Sequence, residues 1–99
     1  MNLNLKNKNA IVCASSQGLG KATAVDLALE GVNLAICSRD LNKINTVKKE
    51  ILERTEQNIK VVSLQVNLDS ADEINEFFQE VESSLGSVDI LVNLSLIHI

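Results

Sequence analysis

Short apolar runs recur along the chain at fairly even intervals, and each is long enough for one buried strand. Three of the four runs are almost continuously apolar, which is typical of parallel strands that are covered on both faces. The predicted strands are 10–13, 34–37, 61–66 and 88–92.

The first two stretches between these runs have apolar positions at helical spacing. In the first, mostly small residues from Gly20 to Gly31 share one face, which lets a helix approach a sheet closely. In the second, the apolar positions run from Leu41 to Ile51, and Asp40 is the expected N-cap. Each stretch therefore predicts one helix.

The third helix has the clearest signals. Ser70 and Glu73 have the spacing of a capping box, and Gly86 stands where a C-terminal cap belongs. The apolar face of this helix consists of Ile74, Phe77, Phe78, Val81 and Leu85. The resulting order, β-α-β-α-β-α-β, predicts an α/β fold with a parallel sheet.

Composition and charge exclude several classes of partner. The chain has 99 residues, 45% of them hydrophobic and 22% charged, which suits one globular domain or part of one. The net charge is −4 and the nine Lys and Arg residues are scattered, so nucleic acid is not an expected partner. Every apolar run is far shorter than the roughly 20 residues that span a bilayer, so we expect no membrane partner either.

The two cysteines, Cys13 and Cys37, each end an apolar run. They do not form the pattern of a disulfide framework, and no His or further Cys stands nearby to complete a metal site. We expect both to be small buried residues, no metal, and a location in the reducing cytoplasm.

The turn between the first strand and the first helix carries the strongest candidate chemistry. Gly18 permits a backbone conformation that is closed to other residues, and a helix N-terminus offers unpaired N–H groups to an anion. The sequence of this turn is Ala14-Ser15-Ser16-Gln17-Gly18-Leu19-Gly20. A pyrophosphate is the natural ligand for it, and a plain turn with glycines for packing is the alternative.

The segment from Val12 to Ala24, VCASSQGLGKATA, resembles the nucleotide-binding segment of the short-chain dehydrogenases/reductases. That family carries Thr-Gly-x-x-x-Gly-x-Gly here, and Gly18 and Gly20 match its second and third glycines. Cys13 and Ala14 replace the Thr and the first Gly, and the methyl group of Ala14 demands a slightly more open turn. The resemblance implies that residues 14–20 contact a dinucleotide cofactor, and the 3-oxoacyl-carrier-protein-reductase-like members are the nearest subgroup.

The end of the second strand bears on the choice of cofactor. In the resemblance, Ser38 stands where NAD-preferring members usually place an acidic side chain, and Arg39 follows it. A guanidinium suits a phosphate through its charge and its planar donors, and Lys21 can add a second cation. We therefore expect NADP(H) to be preferred, with NAD(H) possible. The alternative for Arg39 is a solvated loop residue paired with Asp40.

Two later strand ends extend the resemblance. Asn67 and Leu68 stand where the family has Asp and an aliphatic residue, and the Asp there accepts a hydrogen bond from the adenine amino group. Asn67 can accept such a bond more weakly, or it can serve only to shape the turn before the third helix. Asn93 matches the first Asn of the family's Asn-Asn-Ala-Gly, which ties neighbouring strands together beside the cofactor.

The resemblance covers residues 5–93 and implies the N-terminal part of a Rossmann doubly wound parallel sheet with strand order 3-2-1-4. We therefore assign residues 1–93 to an incomplete NAD(P)-binding domain, with its fourth strand as an open edge and part of one apolar sheet face exposed. Residues 94–99 depart from the family. They can be back-translated without a mismatch as CTG-TCT-CTT-ATA-CAC-ATC, a transposon end used in a sequencing adapter, so we expect adapter read-through. A divergent natural tail is the alternative.

The resemblance implies an oxidoreductase that reduces a ketone or oxidises a secondary alcohol, with a small-molecule substrate and a homodimeric or homotetrameric parent protein. Family chemistry needs a Ser and a Tyr-x-x-x-Lys pair, and this chain contains no Tyr. We therefore assign no catalytic residue and expect the chain by itself to be inactive.

Other functions remain open at this point. An NADP(H)-binding redox sensor without catalysis would have the same cofactor-binding residues. A flavodoxin-like signalling domain usually has an acidic residue at the end of the first strand, and Cys13-Ala14-Ser15 supplies none. A methyltransferase usually has a carboxylate at the end of the second strand, where this chain has Ser38.

Overall fold

A computed structural model of the chain shows a parallel sheet with helices on both faces, and it describes residues 5–13, 18–67 and 69–93. The strands are β1 (Asn9–Cys13), β2 (Asn33–Ser38), β3 (Val61–Gln65) and β4 (Ile90–Asn93). The helices are α1 (Gly18–Leu29), α2 (Leu41–Arg54) and α3 (Ala71–Leu85). The predicted tail, residues 94–99, lies outside the described residues.

The strand order is β3-β2-β1-β4, and all three neighbouring pairs are parallel. This confirms the predicted α/β architecture and the order 3-2-1-4. Each predicted strand differs from the observed one by one or two residues at one end or both, and two boundaries, the end of α1 and the start of β4, differ for a local reason. Gly31, predicted to lie on the first helix, is in the turn after α1 with φ +86°. The fourth strand, predicted from Val88, begins at Ile90, because the Asp89 carboxylate before it accepts a hydrogen bond from the Asn9 backbone N–H.

The sheet separates two apolar layers. Side chains of α1 and α2 pack on the face that carries Val12, Leu34 and Ile36. On the other face, α3 packs through Phe77 and Val81 against the buried layer that includes Cys13 and Cys37. Both cysteines are therefore buried, as predicted, and they lie directly opposite each other on β1 and β2.

Local capping explains where α2 and α3 begin and end. The carboxylate of Asp40 accepts a hydrogen bond from the Lys43 N–H and begins α2, as predicted. Ser70 accepts from the Glu73 N–H and begins α3, and Gly86 ends it with φ +94°. The reciprocal half of the capping box is not formed, because the Glu73 carboxylate accepts from the Asn67 N–H instead.

Two asparagine side chains connect the amino ends of all four strands, a feature that the sequence did not predict. The Asn9 amide donates to the carbonyls of Leu85 and Ser87 before β4, at 2.9 and 3.0 Å. Asn33 donates to Asn9 Oδ1 and accepts from the Lys60 N–H before β3. This chain of hydrogen bonds fixes the strands at their amino ends and leaves their carboxyl ends for a ligand.

No helix in the described part of the chain is long and apolar enough to cross a membrane.

Candidate functional site

The predicted site residues that the structure describes lie at the carboxyl ends of the strands. In open α/β sheets, ligands bind outside the carboxyl ends of the strands, near the point where the strand order reverses. Here the reversal lies between β1 and β4, because β2 and β3 follow β1 on one side and β4 returns to the other. Asn93 ends β4 at this point, opposite Cys13 in the register.

The glycine turn is described from Gly18 onward, and Ala14, Ser15, Ser16 and Gln17 lie outside the described residues. Gly18 begins α1 with φ +62°, in the left-handed region that favours glycine. Among the residues that the structure describes, none has an atom within 4 Å of a Cβ added at this position, so they leave the space beside the helix N-terminus open. Leu19 is exposed and Gly20 is buried.

The end of β2 presents Arg39 to solvent. Ser38 is buried, and its hydroxyl accepts a hydrogen bond from the Asp40 N–H. Arg39 does not pair with Asp40, as the alternative supposed, because that carboxylate caps α2. Its guanidinium Nη2 lies 2.6 Å from Asp69 Oδ2, and its backbone carbonyl accepts from the Gln65 side chain.

Lys21 does not act as a second cation beside Arg39 in this structure. Its ammonium lies 2.8 Å from the Glu50 carboxylate and connects α1 to α2. The hydrogen bond from Lys21 lowers the pKa of Glu50 below its ordinary value.

The turn after β3 is shaped by Asn67. Its Oδ1 accepts a hydrogen bond from the Asp69 N–H at 3.0 Å, and its own N–H donates to the Glu73 carboxylate at 3.1 Å. These contacts favour the interpretation of Asn67 as a turn residue, although an amide oxygen has a second lone pair for an adenine amino group. Leu68 lies outside the described residues.

A cavity of about 580 Å³ opens beside the ends of β2 and β3. Its lining residues are Arg39, Gln65, Val66, Asn67, Asp69 and Glu73. A larger cavity, of about 720 Å³, includes Gly31 and Arg54 among its lining residues and therefore lies at the amino edge, away from the strand ends where ligands bind in such sheets.

Cys13 lies at the end of β1, directly before the glycine turn. A hydrogen bond with the Cys37 thiol lowers the pKa of Cys13, and this effect exceeds the opposing effect of burial. The sequence predicted that both residues are buried, but only the strand register shows that they are neighbours.

Asp69, which contacts the Arg39 guanidinium, is among the lining residues of this cavity that the sequence analysis did not single out. Its position two residues after Asn67 did not by itself indicate a role. The pairing of β3 with β2 brings Asp69 within reach of Arg39. The predicted strand order contained the signal, because adjacent parallel strands bring the residues after their carboxyl ends together.

Comparisons with known proteins agree with this geometry. The family model described as short chain dehydrogenase matches residues 8–95. The chain is 38% identical over 88 residues to the 3-oxoacyl-acyl-carrier-protein reductase FabG of Staphylococcus epidermidis, covering 88% of this chain and 35% of that protein. It is 35% identical over 89 residues to the NADPH-dependent reductase BacG of Bacillus subtilis, covering 90% of this chain and 34% of that protein.

Among solved structures, L-sorbose reductase from Gluconobacter frateurii, complexed with NADPH and L-sorbose, superposes with a TM-score of 0.91 at 26% identity. That similarity covers 98% of this chain and 36% of the other. The chain thus spans about a third of the length of the relatives it matches. Because the family model covers most of its residues, the chain belongs to the short-chain dehydrogenase family.

Proposed function

We propose that residues 1–93 are the cofactor-binding part of an NADP(H)-dependent oxidoreductase that reduces a carbonyl group or oxidises a secondary alcohol. The observation that carries the proposal is the exposed guanidinium of Arg39 at the carboxyl end of β2, in a chain of this family. Two similar proteins support the choice of cofactor, since one is described as NADPH-dependent and another is complexed with NADPH.

The described residues fit a dinucleotide phosphate. Gly18 leaves open space at the N-terminus of α1, where the helix dipole and unpaired N–H groups favour an anion. Ser38 is small and neutral at the position beside the ribose, so it does not repel a 2′-phosphate as a carboxylate would. Arg39 offers further N–H donors besides the one that contacts Asp69.

In this proposal the chain's own residues bind and orient the cofactor. When bound, NADP(H) supplies the hydride chemistry. Gly18 and the turn before it would hold the pyrophosphate, Arg39 the 2′-phosphate, and Asn67 and Leu68 the adenine. Because the chain contains no Tyr, we propose that the general acid or base of the full reaction lies in a longer parent protein.

Titration of NADP⁺ and NAD⁺ against the isolated chain tests the proposal. We expect NADP⁺ to bind more tightly, and Arg39→Gln to weaken NADP⁺ binding by about 10- to 100-fold while NAD⁺ binding changes little. Arg54→Gln is the matched control, because it removes the same charge from an exposed position at the other edge of the sheet.

Equal affinity for both dinucleotides, or tighter NAD⁺ binding, would contradict the preference for NADP(H). An equal loss of NADP⁺ affinity in Arg39→Gln and Arg54→Gln would show that only the net charge matters. Circular dichroism of both variants verifies that each keeps the helical signal of the parent chain.

A further inference from the structure

The guanidinium that would bind the 2′-phosphate already has an anionic partner. Arg39 reaches from the end of β2 to the loop after β3, where Asp69 lies 2.6 Å away. Both side chains are largely exposed, at 72% and 79%, so this ion pair is accessible to a ligand and contributes little to stability.

The backbone on both sides of the ion pair is held in place. The Gln65 side chain donates to the Arg39 carbonyl at 2.9 Å, and the Asp69 N–H donates to Asn67 Oδ1 at 3.0 Å. The ion pair thus spans two anchored strand ends, and the two side chains can separate without a change in the fold.

The charges around this cavity do not favour a second anion. Among its lining residues, Arg39 is the cation, and Asp69 and Glu73 are the anions. The Glu73 carboxylate accepts from the Asn67 N–H, and Asp40 caps α2. Asp69 is therefore the carboxylate that contacts the guanidinium directly, and a phosphate monoester, with a charge of about −1.5 to −2, must share or replace it.

We propose that Asp69 is a specificity-determining residue, a counter-ion that competes with the 2′-phosphate for Arg39 and thereby reduces the discrimination between NADP(H) and NAD(H). The inference rests on the proposed function, because it takes Arg39 as the 2′-phosphate ligand. NAD(H) lacks that phosphate, so Asp69 affects the two cofactors unequally.

Two small probes isolate the effect: adenosine 2′,5′-bisphosphate carries the 2′-phosphate and adenosine 5′-monophosphate does not. We expect Asp69→Asn to tighten binding of the bisphosphate by about 3- to 10-fold and to leave the monophosphate unchanged. The gain should shrink as salt is added, because exposed charges are screened. Asp72→Asn is the matched control, an exposed carboxylate in the first turn of α3 that removes the same charge.

A double-mutant cycle then tests whether Asp69 acts through Arg39. In the Arg39→Gln background, the gain from Asp69→Asn should fall to less than half. An undiminished gain there, or an equal gain from Asp72→Asn, would overturn the proposal.

The two proposals fail in different ways. If Arg39→Gln weakens binding of the bisphosphate but Asp69→Asn has no effect, the inference about Asp69 is wrong and the proposed function stands. If the folded chain binds both probes equally and Arg39→Gln changes neither, the proposed preference for NADP(H) is wrong, and the role of Asp69 falls with it. Asp69→Ala, which also removes the carboxylate, should reproduce the result of Asp69→Asn.

Discussion

At the scale of single residues, Gly18 combines a backbone requirement with open space. Its φ of +62° disfavours any L side chain, yet a Cβ would touch no atom of the described part of the chain within 4 Å. The Gly18→Ala variant should therefore lose about 1–2 kcal/mol of unfolding free energy through backbone strain alone. It should also weaken NADP⁺ and NAD⁺ binding equally, because the added methyl would enter the space proposed for the shared pyrophosphate.

Gly31 supplies a control for the backbone effect. It also has a positive φ, +86°, and a Cβ there would meet Lys6 Cγ at 3.2 Å and the Lys6 backbone Cα at 3.5 Å, at the amino ends of the strands. The Gly31→Ala variant should lose at least as much stability as Gly18→Ala, because a close contact adds to the backbone strain, and it should keep its nucleotide affinity. Urea unfolding and dinucleotide titration of both variants check this, and an equal loss of affinity in both would contradict the assignment of Gly18 to the phosphate site.

Residues whose role depends on near neighbours in sequence were predictable. Asp40, Ser70 and Gly86 cap helices as expected, because a cap involves only the three or four residues beside it. The partner of Arg39 was not predictable from local sequence, because Asp69 follows a different strand and reaches Arg39 only through the sheet. Likewise, the capping-box spacing predicts that the Glu73 carboxylate accepts from the Ser70 N–H, but in the folded turn it accepts from the Asn67 N–H.

At the scale of elements, the Asn9 side chain connects β1 to the segment between α3 and β4. It donates to the carbonyls of Leu85 and Ser87 and accepts from Asn33. We expect Asn9→Ala to lower the free energy of unfolding by about 1–3 kcal/mol, because two part-buried polar groups, the Leu85 carbonyl of α3 and the Asn33 amide of β2, lose their partner.

Two further variants make that test specific. Asn9→Asp keeps the size of the side chain but cannot donate to the two carbonyls, so it should be destabilised as well. Asn42→Ala, at an exposed position of α2, should not lower the free energy of unfolding, since Ala is the better helix former. Denaturant unfolding measures the free energy of unfolding of the three variants. An unchanged value for Asn9→Ala would contradict the prediction, because water would then replace these hydrogen bonds without loss of stability.

The order of helices and strands was predictable because it depends on hydrophobic periodicity and on the spacing of the apolar runs, which can be read from the sequence. The first and last residues of these elements were less predictable. The strand predicted from Val88 begins at Ile90, because the backbone and carboxylate of Asp89 bind Asn9 before the ladder starts. Helix α1 stops before Gly31 because that residue takes a left-handed turn, which the pattern of small residues did not indicate.

At the scale of the whole molecule, the two sheet faces are covered unequally. Helices α1 and α2 cover one face, and α3 alone covers the other. Leu91 of β4 lies beside Ile11 on the α3 face, yet it is 57% exposed because α3 does not extend over it. Among the described residues, β4 pairs with β1 on one side and with no strand on the other.

An exposed apolar residue on an unpaired edge strand favours association between chains. We therefore expect the isolated chain to self-associate as its concentration rises, and Leu91→Lys to shift it toward the monomer without loss of stability, because a lysine on an edge strand opposes edge-to-edge pairing. Leu29→Lys is the control, since Leu29 is 56% exposed but ends α1 away from that strand. Sedimentation velocity over a range of concentrations measures the effect. Equal sedimentation of the two variants would mean that β4 is not the surface through which the chains associate.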